Sequence, residues 1–332
     1  MIRAKSLIGF VVIVILSVSV IFNPFSKTYI SELRSNSVYV STQDVSNLQD
    51  LIEAAAKKFN KAPSDAKIDR VWKAMPGYNG LEVDVEASYN KMIKEKAFDV
   101  QKIVFKQIPP KIHLEDLPPS PIYRGHPEKP AVSFLINVAW GNEYLPSILA
   151  TLKENKVHAT FFLEGRWVKE NPDLAKMIAD GGHEIGNHSY SHPNMANISS
   201  YRMKEELVKT NEIIEATTGK TVTWFGPPAG AFREETVLIA DSLHMKTVMW
   251  TVDTIDWREP TPEQLIQRVI SKVHPGAMIL MHPTKATEKA LNTLISEIRS
   301  KNLRIGTVTK LMDEERIIKR EELDMEENTQ HP

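Results

Sequence analysis

His188 and His192 stand four residues apart in Gly186-Asn187-His188-Ser189-Tyr190-Ser191-His192, just after an apolar run ending in Glu184-Ile185. Two imidazoles at that spacing can face one point on a single turn, or on a turn and loop of similar pitch. This suits a divalent metal such as zinc. Alone, the pair also fits ordinary surface or core histidines, so the case rests on what the rest of the chain brings to the same place. Asp253, Asp256 and His282 each follow an apolar run as well. His158, His183, His244 and His274 lie beside strands or turns and read as structural.

The elements that must position these residues begin at Ala131. Strand-like runs fall at 132–138, 159–163, 184–187, 221–225, 246–252, 277–281 and 304–308, with helical segments between them. Asn171-Pro172 opens one helix that Gly181 closes, and another runs from near Tyr201 to Gly219. Thr261, Pro262 and Gln264 form a capping box for a third. About seven alternations predict a parallel β/α architecture, specifically a closed or nearly closed barrel. In such barrels the chemistry collects at the C-terminal ends of strands, where His188, Asp253, Asp256 and His282 all sit.

Upstream, Arg3 and Lys5 precede the uncharged run Ser6 to Phe22. Its length and basic flank predict a signal anchor over 1–23, with the rest of the chain outside the cell membrane as a single-pass protein. A buried helix is the bland alternative. Residues 40–107 predict a small α+β domain with helices over 47–60, 64–75 and 87–96, and strands at 81–85 and 100–107. Seven of the chain's 20 prolines crowd into 108–130 and predict a stiff connector that can pack on the large domain through Ile112, Leu114, Leu117 and Ile122. The large domain is expected over 131–312. The charged tail at 313–332 reads as a frayed helix or disorder.

The 332 residues carry 41 Lys and Arg against 42 Asp and Glu, so no basic footprint for nucleic acid is present. There is no cysteine, which excludes disulfides, thiolate metal sites and a cysteine nucleophile. Trp140, Trp167, Trp224 and Trp250 could form a sugar platform, although aromatic residues at strand ends also serve as plain packing.

The order of the motifs adds a further reading. His188-Ser-Tyr-Ser-His192, Gly226-Pro-Pro-Ala-Gly230, Asp253-Thr-Ile-Asp256-Trp257 and Leu280-Met-His282 together resemble the polysaccharide deacetylases of carbohydrate esterase family four, the NodB-type domain. The upstream unit, connector and anchor also look like membrane-linked members of spore-forming Gram-positive bacteria. The resemblance implies an α/β fold, a distorted β/α barrel preceded by the small α+β domain and the membrane helix. It implies removal of acetyl groups from an N-acetylated cell-wall glycan such as peptidoglycan. It makes His188 and His192 ligands of a divalent metal, zinc if any. His282 becomes the general acid, held by Asp256, and Trp257, Leu280, Pro228 and Ala229 become substrate contacts.

The same resemblance marks departures. The family's Thr-Phe-Asp-Asp-Gly falls on Leu135-Ile136-Asn137-Val138-Ala139, so the base becomes Asn137 and the third metal ligand becomes Val138. An amide cannot accept a proton at neutral pH, and a valine has no ligand atom. Gly226 stands for the arginine that orients the base, and Ala229 for a tyrosine whose backbone N–H would survive the change. Glu143 or Glu164 could substitute for the lost carboxylates. Two readings follow, a deacetylase of reduced or no activity and a non-catalytic glycan-binding or scaffold pseudoenzyme. A secreted β/α hydrolase unrelated to sugars has only the generic barrel in its favour.

Overall fold

The computed structural model describes residues 45–95 and 97–318. The expected anchor and the tail beyond 318 lie outside the described residues. Among those described, no helix is long and apolar enough to cross a membrane. The chain gathers into two compact units. One holds 45–60 and Glu82–Lys106, and the other holds Lys61–Leu81 and Gln107–Ile318.

In the smaller unit, helix α1 (Val45–Phe59) places Leu48, Ile52, Ala55 and Phe59 on one face. They bury against Val83, Met92, Val100 and Ile103, as a helical apolar period requires. Helix α2 (Val85–Met92) starts at Asp84, whose carboxylate accepts the Ala87 N–H, and it ends four residues short of the expected bound. Val100–Lys102 is a 3₁₀ turn rather than strand, because the Asp99 carboxylate caps it through the Gln101 N–H.

The helix expected over 64–75 is replaced by an antiparallel hairpin of β1 (Lys67–Asp69) and β2 (Lys73–Met75). The Asp69 carboxylate accepts the N–H groups of Val71 and Trp72, a local turn that competes with helix. These residues cluster with the large unit, so the small domain drawn at 40–107 is divided between the two. Strands β3 (Gly80–Val83) and β4 (Phe105–Ile108) complete the upstream elements.

The large unit is built on β5 (Ala131–Val138), all eight of whose residues are buried. It pairs in parallel with β6 (Thr160–Leu163), β11 (Met278–Met281) and β12 (Arg304–Gly306). The sheet continues through β7 (Glu184–Asn187), β8 (Trp224–Phe225) and β9 (Lys246–Thr247) on one side and β10 (Val252–Asp253) on the other, giving eight strands. Both faces are buried, as a parallel sheet demands. Phe134, Ile136, Val138, Phe161, Leu163 and Ile279 face one apolar layer. Leu135, Phe162, Trp224 and Met278 face the other, so the period of two is explicit.

Among the described residues the barrel does not close by strand pairing. The run read as one strand over 246–252 divides. Its start pairs with β8, whereas Val252 and Asp253 pair with β11. Beside β9 the proline connector supplies Ile122, whose N–H donates to Thr247 O at 2.9 Å and whose carbonyl accepts the Met249 N–H at 2.8 Å. Leu114 and Ile122 of the connector are buried in the inner layer. The tail expected to fray from Asp313 is packed as far as Ile318. Lys129 pairs with Asp313, and the buried Arg316 donates to Asn79 O and Glu128.

Three helices keep the bounds and caps that their sequences predict. Helix α3 (Pro172–Asp180) and helix α4 (Ser200–Thr218) have the expected bounds within a residue, the second ending at Gly219 with φ 68°. Helix α5 (Pro262–Ile270) starts with the Thr261–Gln264 capping box formed in both directions.

Candidate functional site

The strands deliver their C-terminal ends to one cavity of about 330 Å³. Asn137 and Ala139 enter from β5, His188 and His192 from the loop after β7, Asp253 from β10, and Leu280 and His282 from β11. Ala229, Trp140, Trp250 and Trp257 complete the wall.

The histidine loop is held by unusual backbone and buried polar groups. Ser189 and His192 have φ of 61° and 54°, left-handed values that non-glycine residues adopt only when the surroundings fix them. Asn187 supplies one fixing group, since its Oδ1 accepts the Ser189 N–H. Glu206, 2% exposed on α4, supplies more. Its carboxylate accepts the N–H groups of Tyr190 and Ser191 and the Ser191 hydroxyl, at 2.9, 2.7 and 2.7 Å. Arg202 balances that buried charge at 2.8 Å. The outcome is two imidazoles whose ring centres are 5.0 Å apart.

His188 is 1% exposed, and its Nδ1 lies 2.7 Å from the Gly226 carbonyl. A carbonyl only accepts, so Nδ1 carries the proton and Nε2 keeps its lone pair. Burial pushes its pKa down to about 3, with His192 nearby adding to the effect.

Asp256, fully buried, takes three donors. Its Oδ1 lies 2.8 Å from His282 Nδ1, and Oδ2 accepts the His282 backbone N–H at 2.5 Å and the Thr287 hydroxyl at 2.7 Å. His282 is thereby turned with Nε2 away from the carboxylate. Its other neighbour is Trp140, stacked at 5.9 Å and 7°.

The structure thus gathers His188, His192, His282, Asn137, Ala229, Trp257 and Leu280 at one place, with Asp256 directly behind His282. Ala229 has φ 52°. Pro228 is buried beside it but is not on the cavity wall, and Val138 is not either. Val138 faces the layer between sheet and helices and is fully buried there. Glu143 and Glu164 do not line the cavity. Glu164 stands just before a helix at 165–170 without a side-chain capping bond, and burial raises its pKa.

Of the tryptophans offered as a platform, Trp140 and Trp250 line the cavity, while Trp167 and Trp224 are core. Asp253 was expected at a strand end but was given no role by the family resemblance. It lines the cavity, with Oδ1 accepting the Ile255 N–H at 2.8 Å. Its position at a strand end was the signal. Glu206 and Thr287 carried no signal, since each acts through loop contacts distant in sequence.

Does this donor set fit a metal? His188 offers a correctly protonated ring and His192 a second. The third position is a valine outside the wall, and among the described residues no group of three or more His, Cys, Asp or Glu could hold an ion. Catalytic zinc takes three protein ligands. The residues do not fit the expected metal.

Residues 124–248 match the polysaccharide deacetylase family. The chain is 51% identical to the uncharacterized protein YlxY of Bacillus subtilis over 90% of its own length and 93% of that relative. It is also 30% identical to the peptidoglycan-N-acetylmuramic acid deacetylase PdaA of the same organism, covering 58% of this chain and 75% of that one. Among solved structures, a CE4 family pseudoenzyme from Bacillus anthracis superposes with a TM-score of 0.80 at 56% identity, covering 83% of this chain and 97% of the other. The chain belongs to the polysaccharide deacetylase family. This family member therefore has the NodB-like α/β fold, with its parallel sheet curled around the cavity as a half-barrel rather than a closed one. A mutant of the Bacillus anthracis pseudoenzyme is described as having restored enzymatic activity.

Proposed function

We propose that this polysaccharide deacetylase-family chain binds amino-sugar glycan of the peptidoglycan class, with hydrolysis reduced or lost. One observation carries the reading. The cavity keeps an assembled imidazole–carboxylate pair and apolar walls, whereas Asn137 brings an amide and Val138 lies outside the wall. The kinship with a pseudoenzyme and with peptidoglycan deacetylases supports it.

In this reading Trp257 and Leu280 pack against the sugar and its substituent. Asn137 offers both a donor and an acceptor to the ligand but takes no proton. His282 presents Nε2 to the ligand, and Asp256 stabilises the ring when it is charged. Asn137 stands where the base is expected and takes no proton from water, and loss of that base alone removes on the order of 10²–10⁴ in rate. A second reading, a slow N-deacetylase acting on N-acetylated units, is favoured by the intact His282–Asp256 pair, which a pure binder does not need. The signal anchor at 1–23 would hold the cavity at the outer face of the cell membrane. The unit around α1 and α2 would be the core of the small α+β domain.

The two readings separate by titrating the full chain with N-acetylglucosamine oligomers and peptidoglycan fragments while following acetate. Binding without acetate release supports the pseudoenzyme. Acetate release that His282→Ala abolishes supports the enzyme. No binding of any glycan would sink both.

A further inference from the structure

The charges and rings on the cavity wall point beyond glycan in general. Among the described residues no lysine or arginine lines the cavity, and Arg258, which lies over Trp257 at 4.6 Å, is not on its wall. Asp253 contributes a carboxylate whose Oδ1 takes the Ile255 N–H, and no cationic side chain among the described residues pairs with it. Asp256 is already committed to His282, at 2.8 Å from its Nδ1. Three indoles, Trp140, Trp250 and Trp257, share the wall, the first and last about half exposed at 47% and 51%. A carboxylate beside several indole faces is the chemistry that recognises a cation, and tryptophan is the best of the aromatic partners.

We propose that the cavity selects a protonated primary amine, so that the glycan unit it takes is a de-N-acetylated hexosamine. This rests on the glycan-binding reading and deepens it. A neutral acetamide would press against Asp253 without neutralising it, leaving a partly desolvated charge unpaired. An ammonium at the same place satisfies the carboxylate and meets the indoles. The volume of about 330 Å³ is at the small end for ligand pockets and suits a single sugar unit. The chain would then read where deacetylation has occurred, downstream of a reaction that frees the amine.

The test is calorimetric titration of the full chain at pH 6 with a glucosamine tetramer and an N-acetylglucosamine tetramer. The amine form should bind about tenfold tighter, as one cation–π set and one ion pair allow. Asp253→Asn keeps an oxygen for the Ile255 N–H and should bring the two ligands within about twofold of each other. Should that variant unfold, the native chain decides by salt, since the amine preference must shrink as ionic strength rises. Equal or tighter binding of the N-acetylated tetramer overturns the inference and leaves glycan binding standing. Failure of both tetramers to bind overturns this inference, and the glycan-binding reading falls with it only if peptidoglycan fragments fail to bind as well.

Discussion

Asp256 grips His282 at both ends, by the ring through Nδ1 and by the backbone through its N–H, at 2.8 and 2.5 Å. A carboxylate that fixes both the tautomer and the main chain of one residue leaves that ring a single orientation. Trp140 stacks on it, and Gly141, at φ 83°, lets the loop pass Pro283, whose carbonyl would lie 2.0 Å from any Cβ. The half of the site that can give a proton is rigid before any ligand arrives.

Asp256→Ala should therefore cost stability as well as function. It strands the Thr287 hydroxyl, the His282 N–H and the ring N–H without an acceptor in a buried place. The loss should be about 3 kcal/mol in denaturant unfolding, the scale for orphaned buried donors beside a removed charge. Asp256→Asn should recover part of that and turn the His282 ring to its other tautomer, visible in the nitrogen shifts of the imidazole. An unchanged unfolding midpoint for Asp256→Ala would contradict the triple contact.

Glu206 should behave as a positioning residue for the metal-type histidine pair without touching the cavity. Glu206→Gln loses the charge that Arg202 balances and one of the acceptors for the loop N–H groups, at a cost of about 1–3 kcal/mol. The distinguishing readout is local. The His188 and His192 ring signals should shift and broaden while those of His282 stay in place.

How much of this was legible in the sequence differs from element to element. The large unit was legible because its strands lie within apolar runs and some of its helices carry their own caps, as at Thr261 and Gly219. The hairpin at 67–75 was not, because a single Asp69 turn overrode a helical composition. The run 246–252 read as one strand since apolar patterning is blind to a change of neighbour, here from β8 to β11. At the site, motif order placed His188, His192 and His282 together. It did not distinguish Asn137, which lines the cavity, from Val138, which does not; a period of two puts adjacent strand residues on opposite faces.

Zinc or cobalt titration should therefore show no stoichiometric binding at micromolar metal, two imidazoles being short of the three ligands such sites need. Val138→Asp with Asn137→Asp is the converse test. The new carboxylate at 138 starts in an apolar layer, so the metal-free double variant should lose several kcal/mol. If the strand end can turn that side chain to His188 and His192, adding zinc should raise the melting temperature in a concentration-dependent way. A variant that melts identically with and without zinc would mean that the first motif is aligned wrongly. Tight zinc binding by the native chain would mean that another donor completes the set.

Acid should destabilise this protein early, well above the usual carboxylate range. His183 and His126 are each 5% exposed, and each uses Nδ1 to accept a backbone N–H, from Ala159 and Glu128. Burial pushes both pKa values down to about 4, so both rings are neutral in the folded chain. In the unfolded chain they take a proton near the ordinary value of about 6.5. Between those values the unfolded state binds more protons, so stability is full above pH 6.5 and is lost as pH falls towards 4. Each ring contributes up to about 3 kcal/mol over that window. His183→Asn keeps an acceptor for the Ala159 N–H and removes the titration. Its stability at neutral pH should fall through lost packing on Phe161, while the slope of stability against pH between 6.5 and 4 becomes shallower than in the native chain. An unchanged slope would place the acid sensitivity elsewhere.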